Sequence, residues 1–162
     1  VAEQAAGEGL EYDFDALVVA NSRRAHRVLQ AAKRADEADG AGRTDRLKEA
    51  LLSAHFEGGL NIGDVEVLTD LAEAAGLTAD QARAAVGSDD LDDAVARDIA
   101  EAAAIGVRGV PFFVFDGRYG VSGAQPPEVF LQALEVSWAE RTPALITIDG
   151  ATGEVCGPDG CA

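Results

Sequence analysis

The chain has 162 residues and a mass of 16.7 kDa, enough for one domain with a real core. Against 29 Asp and Glu stand 13 Lys and Arg; the net charge of −16 and pI near 4.3 exclude the clustered positive charge that nucleic acid or an anionic membrane would require. A hydrophobic share of 48% argues against global disorder, and no apolar run approaches the roughly 18 residues of a membrane span. In chain order, Val1–Ala6 reads as the last turns of a helix ended by Gly7 and Gly9, and Leu10–Val19 as an extended connector.

Five helical segments follow. Asn21 is the expected N-cap of the first, with Ala25, Val28, Leu29 and Ala32 at helical spacing before a break at Ala38–Gly42. Thr44 is the expected cap of the second, whose apolar face holds Leu47, Ala50, Leu51 and Ala54 up to Gly58 and Gly59. Asp64 caps the third, carrying Val65, Leu68, Leu71, Ala72 and Ala75 and stopping at Gly76. Thr78 to Gln81 spell a capping box for a short fourth helix that fades by Gly87. Ser88 opens the fifth, in which Leu91, Val95, Ile99 and Ala102 recur every three to four residues until Gly106.

The pattern then changes. Pro111–Phe115 is a continuous apolar run, Asp116-Gly117 a hairpin turn, and Arg118–Val121 the return strand. Gly123–Pro126 is a loop. Pro127 suits the first turn of a final helix through Arg141, with Phe130, Leu131, Leu134 and Trp138 expected inward. Beyond Pro143, Ala144–Ile148 and Gly153–Cys156 could form a small hairpin around Gly150. Two strands alone do not make a stable sheet, so the hairpin needs further partners.

Cysteine is sparse: Cys156 and Cys161 only, which excludes a secreted disulfide scaffold. No signal peptide opens the sequence, and a cytoplasmic location is the expectation. The chain contains no Met and starts at Val1, so a natural N-terminus that was processed, cleaved or left out is expected. The Ala- and Arg-rich composition points to a GC-rich bacterial source.

The sharpest local feature is Gly106-Val-Arg-Gly-Val110-Pro111-Phe-Phe-Val114, followed by Gly120-Val-Ser-Gly-Ala-Gln125. A glycine-ended helix, a β-branched residue and then Pro heading an apolar strand is the place where thioredoxin-like folds set a cis-proline. In that geometry Val110 offers its N–H and C=O to an extended peptide or a tripeptide thiol, as a sheet edge recruits a strand. The alternative is a trans proline that merely starts a strand.

From Asn21 to Arg141 the chain resembles the DsbA-like oxidoreductases of the FrnE group. The carrying residues are Asn21-Ser-Arg-Arg-Ala-His26-Arg, Ala54-His55-Phe56 with Glu57-Gly-Gly-Leu-Asn-Ile62, Leu68, Gly76-Leu77, Gly109-Val110-Pro111-Phe-Phe113 and Ser122-Gly-Ala-Gln125. The resemblance implies an α/β, thioredoxin-like fold with a large all-helical insertion. It implies a connector from the thioredoxin half at 1–20, the insertion at 21–106, the C-terminal thioredoxin half at 107–141 and a tail at 142–162. It also implies an N-terminal βαβ unit with a Cys-x-x-Cys at a helix start, where the helix N-terminus stabilises the attacking thiolate. This sequence contains no Cys-x-x-Cys, and Val1 is expected to fall after that unit.

Cys156-Gly-Pro-Asp-Gly-Cys161 fits a type I turn that folds two sulfurs together, and so small a ring stabilises weakly. An auxiliary redox pair, as the resemblance implies, an idle tail and a metal site all remain open. A metal site is poorly served, since zinc takes four ligands and only His26 and His55, on different helices, could add nitrogens. Those histidines read as packing or polar surface, and Asp89, Asp90, Asp92 and Asp93 as a solvated helix start. Tyr119 and Trp138 read as core or rim.

The function expected is that of a protein thiol–disulfide oxidoreductase or isomerase, with Val110 and Pro111 binding substrate and Cys156 and Cys161 as the auxiliary pair. The alternatives are a glutathione-dependent isomerase like the hydroxychromene-carboxylate isomerases, or a non-enzymatic chaperone-like or dimerisation module. No cofactor is expected. The expected partners are protein thiols and disulfides or glutathione-like thiols, without nucleic acid or membrane, and a homodimer is compatible with the sequence.

Overall fold

The structure, a computed structural model, describes residues 1–141. The chain divides into two compact units, Val1–Gly106 and one beginning at Val107. Among the described residues no helix is long and apolar enough to cross a membrane.

The first unit is helical: α1 (Ala2–Gly7), α2 (Arg23–Asp39), α3 (Arg43–Phe56), α4 (Val65–Ala75), α5 (Ala79–Val86) and α6 (Asp89–Ala104). Three helix starts carry the caps their sequences call for. The Asp64 carboxylate accepts from the N–H groups of Glu66 and Val67, Thr78 and Gln81 form a reciprocal capping box, and Ser88 Oγ accepts from Leu91 N–H. Two starts differ from expectation. The N-cap of α2 is Ser22, so the helix starts one residue later than expected, and Asn21 Oδ1 accepts from the N–H of its first residue, Arg23. Thr44 does not cap α3, which starts at Arg43 after Gly42. Instead the Asp36 carboxylate, in the last turns of α2, accepts from Arg43 N–H, Thr44 N–H and Thr44 Oγ1 at 2.8 Å each.

The core of this unit joins α2 to α6. Val28 and Ala32 from α2, Leu47 from α3, Leu68 and Ala72 from α4 and Ala82 from α5 are fully buried. Thr69 is buried among them and returns its hydroxyl to the Val65 carbonyl at 2.7 Å, so its burial leaves no donor unpaired. Ile99, at the same helical spacing, is 57% exposed, and α6 buries Leu91, Ala94 and Val95. Residues 10–20 have no regular structure beyond a turn at 14–16, and they are pinned to the end of α3. Tyr12 stacks on Phe56 with ring centroids 5.0 Å apart, and Asp13 N–H donates to the Phe56 carbonyl. Gly59 (φ +58°) sits so close to Ala16 that a Cβ there would lie 2.7 Å from its carbonyl oxygen.

The second unit is a hairpin and a helix: β1 (Phe112–Phe115), β2 (Tyr119–Ser122) and α7 (Pro127–Glu140). The strands are antiparallel with Phe112 opposite Ser122, Phe113 opposite Val121 and Phe115 opposite Tyr119. Asp116 and Gly117 both take positive φ, as a tight hairpin turn requires, and Arg118 N–H closes it onto the Phe115 carbonyl. Arg118 therefore belongs to the turn, and the return strand starts one residue later than expected. Because strand side chains alternate, Phe113 and Phe115 share a face, and both meet Phe130 of α7, at 4.8 and 6.5 Å between centroids. On the other face the Phe112 ring lies over Gly120, where a Cβ would meet it at 2.8 Å.

The inward face expected for α7 is only partly right. Phe130 turns to the sheet and Ser137 is buried, whereas Leu131, Leu134 and Trp138 are more than half exposed. The Arg141 guanidinium stacks on the Trp138 ring at 3.8 Å. Tyr119 is a rim residue whose hydroxyl bonds the Glu140 carboxylate, to which Arg118 also donates at 3.0 Å.

Candidate functional site

The two halves of the 106–125 motif meet in the second unit. The Val110–Pro111 peptide bond is cis, and Val110, two residues before β1, is 91% exposed. The Pro111 carbonyl accepts from Gly123 N–H at 2.9 Å, tying the start of β1 to the loop that leaves β2. Gln125 holds that loop from beyond: its Nε2 donates to the Ser122 carbonyl at 2.9 Å and its N–H to the Gly123 carbonyl at 3.1 Å. Among the described residues, no hydrogen bond engages the Val110 N–H or C=O. The arrangement presents a main-chain donor and acceptor on a braced hairpin end.

Cys156 and Cys161, with the 142–162 segment and its expected small hairpin, lie outside the described residues. His26 is exposed and His55 half-buried, as expected of packing or polar-surface residues, and both border one groove between α2 and α3. Among the described residues no three His, Cys, Asp or Glu converge as metal ligands.

The start of α6 is solvated at Asp89, Asp90 and Asp93, as expected, and differs at Asp92. Asp92 is not merely solvated: its carboxylate takes the Arg23 guanidinium at 2.7 and 2.8 Å and that of Arg27 at 2.7 Å, while Arg34 pairs with Asp90. Hydrogen bonds from Arg23 first, then from Arg27, hold the Asp92 carboxyl well below the ordinary carboxylate range. These pairs lock α6 to α2 across 56 to 69 residues of sequence. No local pattern could have signalled them.

Residues 1–135 match the DSBA-like thioredoxin domain. The chain belongs to that family. A solved structure described as a probable DsbA oxidoreductase from Streptomyces coelicolor is 44% identical, with a TM-score of 0.76. The match covers 99% of this chain and 65% of that one, so this DSBA-like chain spans about two-thirds of that relative's length. No curated protein matches it significantly. The expectation of a DsbA-like thioredoxin fold therefore holds, in a form that is mostly helical with a small two-stranded sheet. The family is one of thiol–disulfide oxidoreductases.

Proposed function

We propose that this DSBA-like chain is the substrate-positioning and auxiliary-thiol portion of a protein thiol–disulfide oxidoreductase of the FrnE type. The observation that carries the reading is the exposed, unengaged Val110 main chain at a hairpin end braced by Pro111, Gly123 and Gln125, in a chain of this family. An extended substrate segment adding to Val110 gains main-chain hydrogen bonds that are indifferent to its sequence, which suits an enzyme acting on many proteins.

The chemistry is thiol–disulfide exchange. A thiolate attacks one sulfur of a substrate disulfide, a mixed disulfide forms, and the other substrate sulfur leaves as a thiolate. A second thiol of the enzyme then attacks the mixed disulfide, so that substrate gains two electrons and the enzyme pair becomes a disulfide. The first attack is assigned to a Cys-x-x-Cys, which this sequence does not contain. Cys156 and Cys161 are assigned the transfer of electrons to or from that motif. The partners assigned are protein thiols and disulfides or glutathione-like thiols, in a cytoplasmic setting.

The test is thiol trapping in glutathione buffers poised from reducing to oxidising, followed by alkylation and mass measurement. The expected result is reversible loss of two hydrogens at Cys156 and Cys161, and a glutathione mixed disulfide on Cys156 in Cys161→Ser. If both thiols stay free under oxidising poise, the auxiliary pair is wrong. In a longer protein carrying the Cys-x-x-Cys as well, Val110→Pro should slow insulin-disulfide reduction by about tenfold or more, since it removes the N–H. Unchanged turnover would remove Val110 from the site.

A further inference from the structure

Where the loop between α3 and α4 comes back to α2 lies a cavity of about 550 Å³. Asn21, Arg23, Arg24, Arg27, Asn61 and Gly63 supply its polar wall. Three of the 13 basic side chains line it, and none of the 29 acidic ones does. Asp92, which pairs with Arg23 and Arg27, offsets one of the three charges. The wall therefore keeps an excess of two positive charges in a chain of net charge −16. The side-chain groups still unpaired on it are donors. Asn21 Oδ1 accepts from Arg23 N–H and Asn61 Oδ1 from Gly63 N–H, each at 2.9 Å. Both amides are thereby oriented, and neither NH2 group meets an acceptor among the described residues. Arg24 donates from Nη1 to the Gly63 carbonyl at 3.0 Å, which leaves its Nε and Nη2 unengaged there. Arg23 holds Asp92 through Nε and Nη2, which leaves its Nη1.

We propose that this cavity binds the phosphate monoester of a small polar alcohol, such as a sugar phosphate. Charge selects the anion: an excess of two positive charges matches a phosphate dianion. Donor number points the same way. The unpaired nitrogens carry more N–H groups than the roughly four lone-pair sites of a carboxylate accept, whereas a phosphate monoester offers three strong acceptor oxygens. Arginine suits that group, because its planar fork meets two phosphate oxygens at once. Gly63 already holds one arm of the Arg24 fork and Asp92 one edge of Arg23, so little side-chain freedom is lost on binding. Size and polarity set the rest of the ligand. The cavity falls within the range of about 300–1,000 Å³ of small-molecule sites, more than phosphate alone fills, and its polar wall suits hydroxyl groups better than hydrocarbon. A long polyanion is disfavoured by the acidic surface beyond the cavity. All six residues belong to the helical unit, and the site does not depend on the thiol chemistry.

The test is a titration of the 162-residue protein with ribose 5-phosphate at constant ionic strength, followed by NMR through the side-chain amides of Asn21 and Asn61 and the Arg24 Nε–H. The expected result is a saturable shift of these signals with a Kd of about 0.1–3 mM. Inorganic phosphate should move the same signals, and ribose should not. Arg24→Gln should weaken binding at least about fivefold, while Arg83→Gln, an equal loss of charge on α5, should leave the Kd within about twofold. Asn61→Asp keeps the oxygen that accepts from Gly63 N–H but replaces the amide donor with a negative charge, and should weaken binding at least about tenfold. Urea unfolding confirms that each variant is folded. The proposal is overturned by any of three results: no saturable shift up to about 20 mM ribose 5-phosphate, ribose moving the same signals equally, or wild-type affinity in both Arg24→Gln and Asn61→Asp.

Discussion

Asp36 shows how one side chain can organise a helix junction. Its carboxylate collects two N–H groups and a hydroxyl at the start of α3, satisfying donors that the helix itself leaves open. The hydrogen bond from Thr44 N–H, the largest influence, and those from Arg43 hold its carboxyl down at about 2. In the unfolded chain the ordinary value is about 3.9, so the unfolded state takes up the proton first as pH falls. The stabilisation is therefore complete above about pH 5 and lost as pH drops from about 4 towards 2. Asp39, Asp90 and Asp92 are shifted in the same direction by their arginine partners. We expect the urea midpoint to fall between pH 7 and pH 3, and Asp36→Asn to lower it at pH 7 while shrinking that fall. An equal fall in variant and wild type would show that Asp36 contributes nothing to the acid response.

At the scale of elements, local sequence accounts well for helix starts and poorly for helix faces. Asp64, Thr78 and Ser88 cap the helices they precede, because capping is settled within four residues. The start of α3 was not readable in this way, since its capping carboxylate comes from the previous helix. Ile99, Leu131, Leu134 and Trp138 stand at helical spacing yet are exposed, because periodicity identifies an apolar stripe without identifying what covers it. In the second unit, Glu140 joins α7 to β2 by accepting from both Tyr119 and Arg118. The hydrogen bond to that carboxylate raises the Tyr119 phenol above its ordinary value. Glu140→Gln should therefore lower the pH at which Tyr119 ionises, as read by tyrosinate absorbance. No movement of that titration would mean that the pair does not form in solution.

For the whole molecule, stability resides in the helical unit, where small residues such as Ala32, Ala72 and Ala82 let neighbouring helices pack closely around Leu47 and Leu68. Leu47→Ala should cost about 2–5 kcal/mol of unfolding free energy, read by urea denaturation followed by circular dichroism. A loss below about 1 kcal/mol would place the centre of the core elsewhere. The sequence by itself determined the order of elements, three of the caps, the hairpin turn and the DsbA-like kinship, because each of these is written in neighbouring residues or in motifs of set spacing. Only the tertiary structure decided that Arg23 and Arg27 hold Asp92, that Asp36 caps the next helix, and that His26 and His55 border one groove. Those contacts join residues on different helices, and their partners are chosen by how the helices pack, which no window along the chain contains.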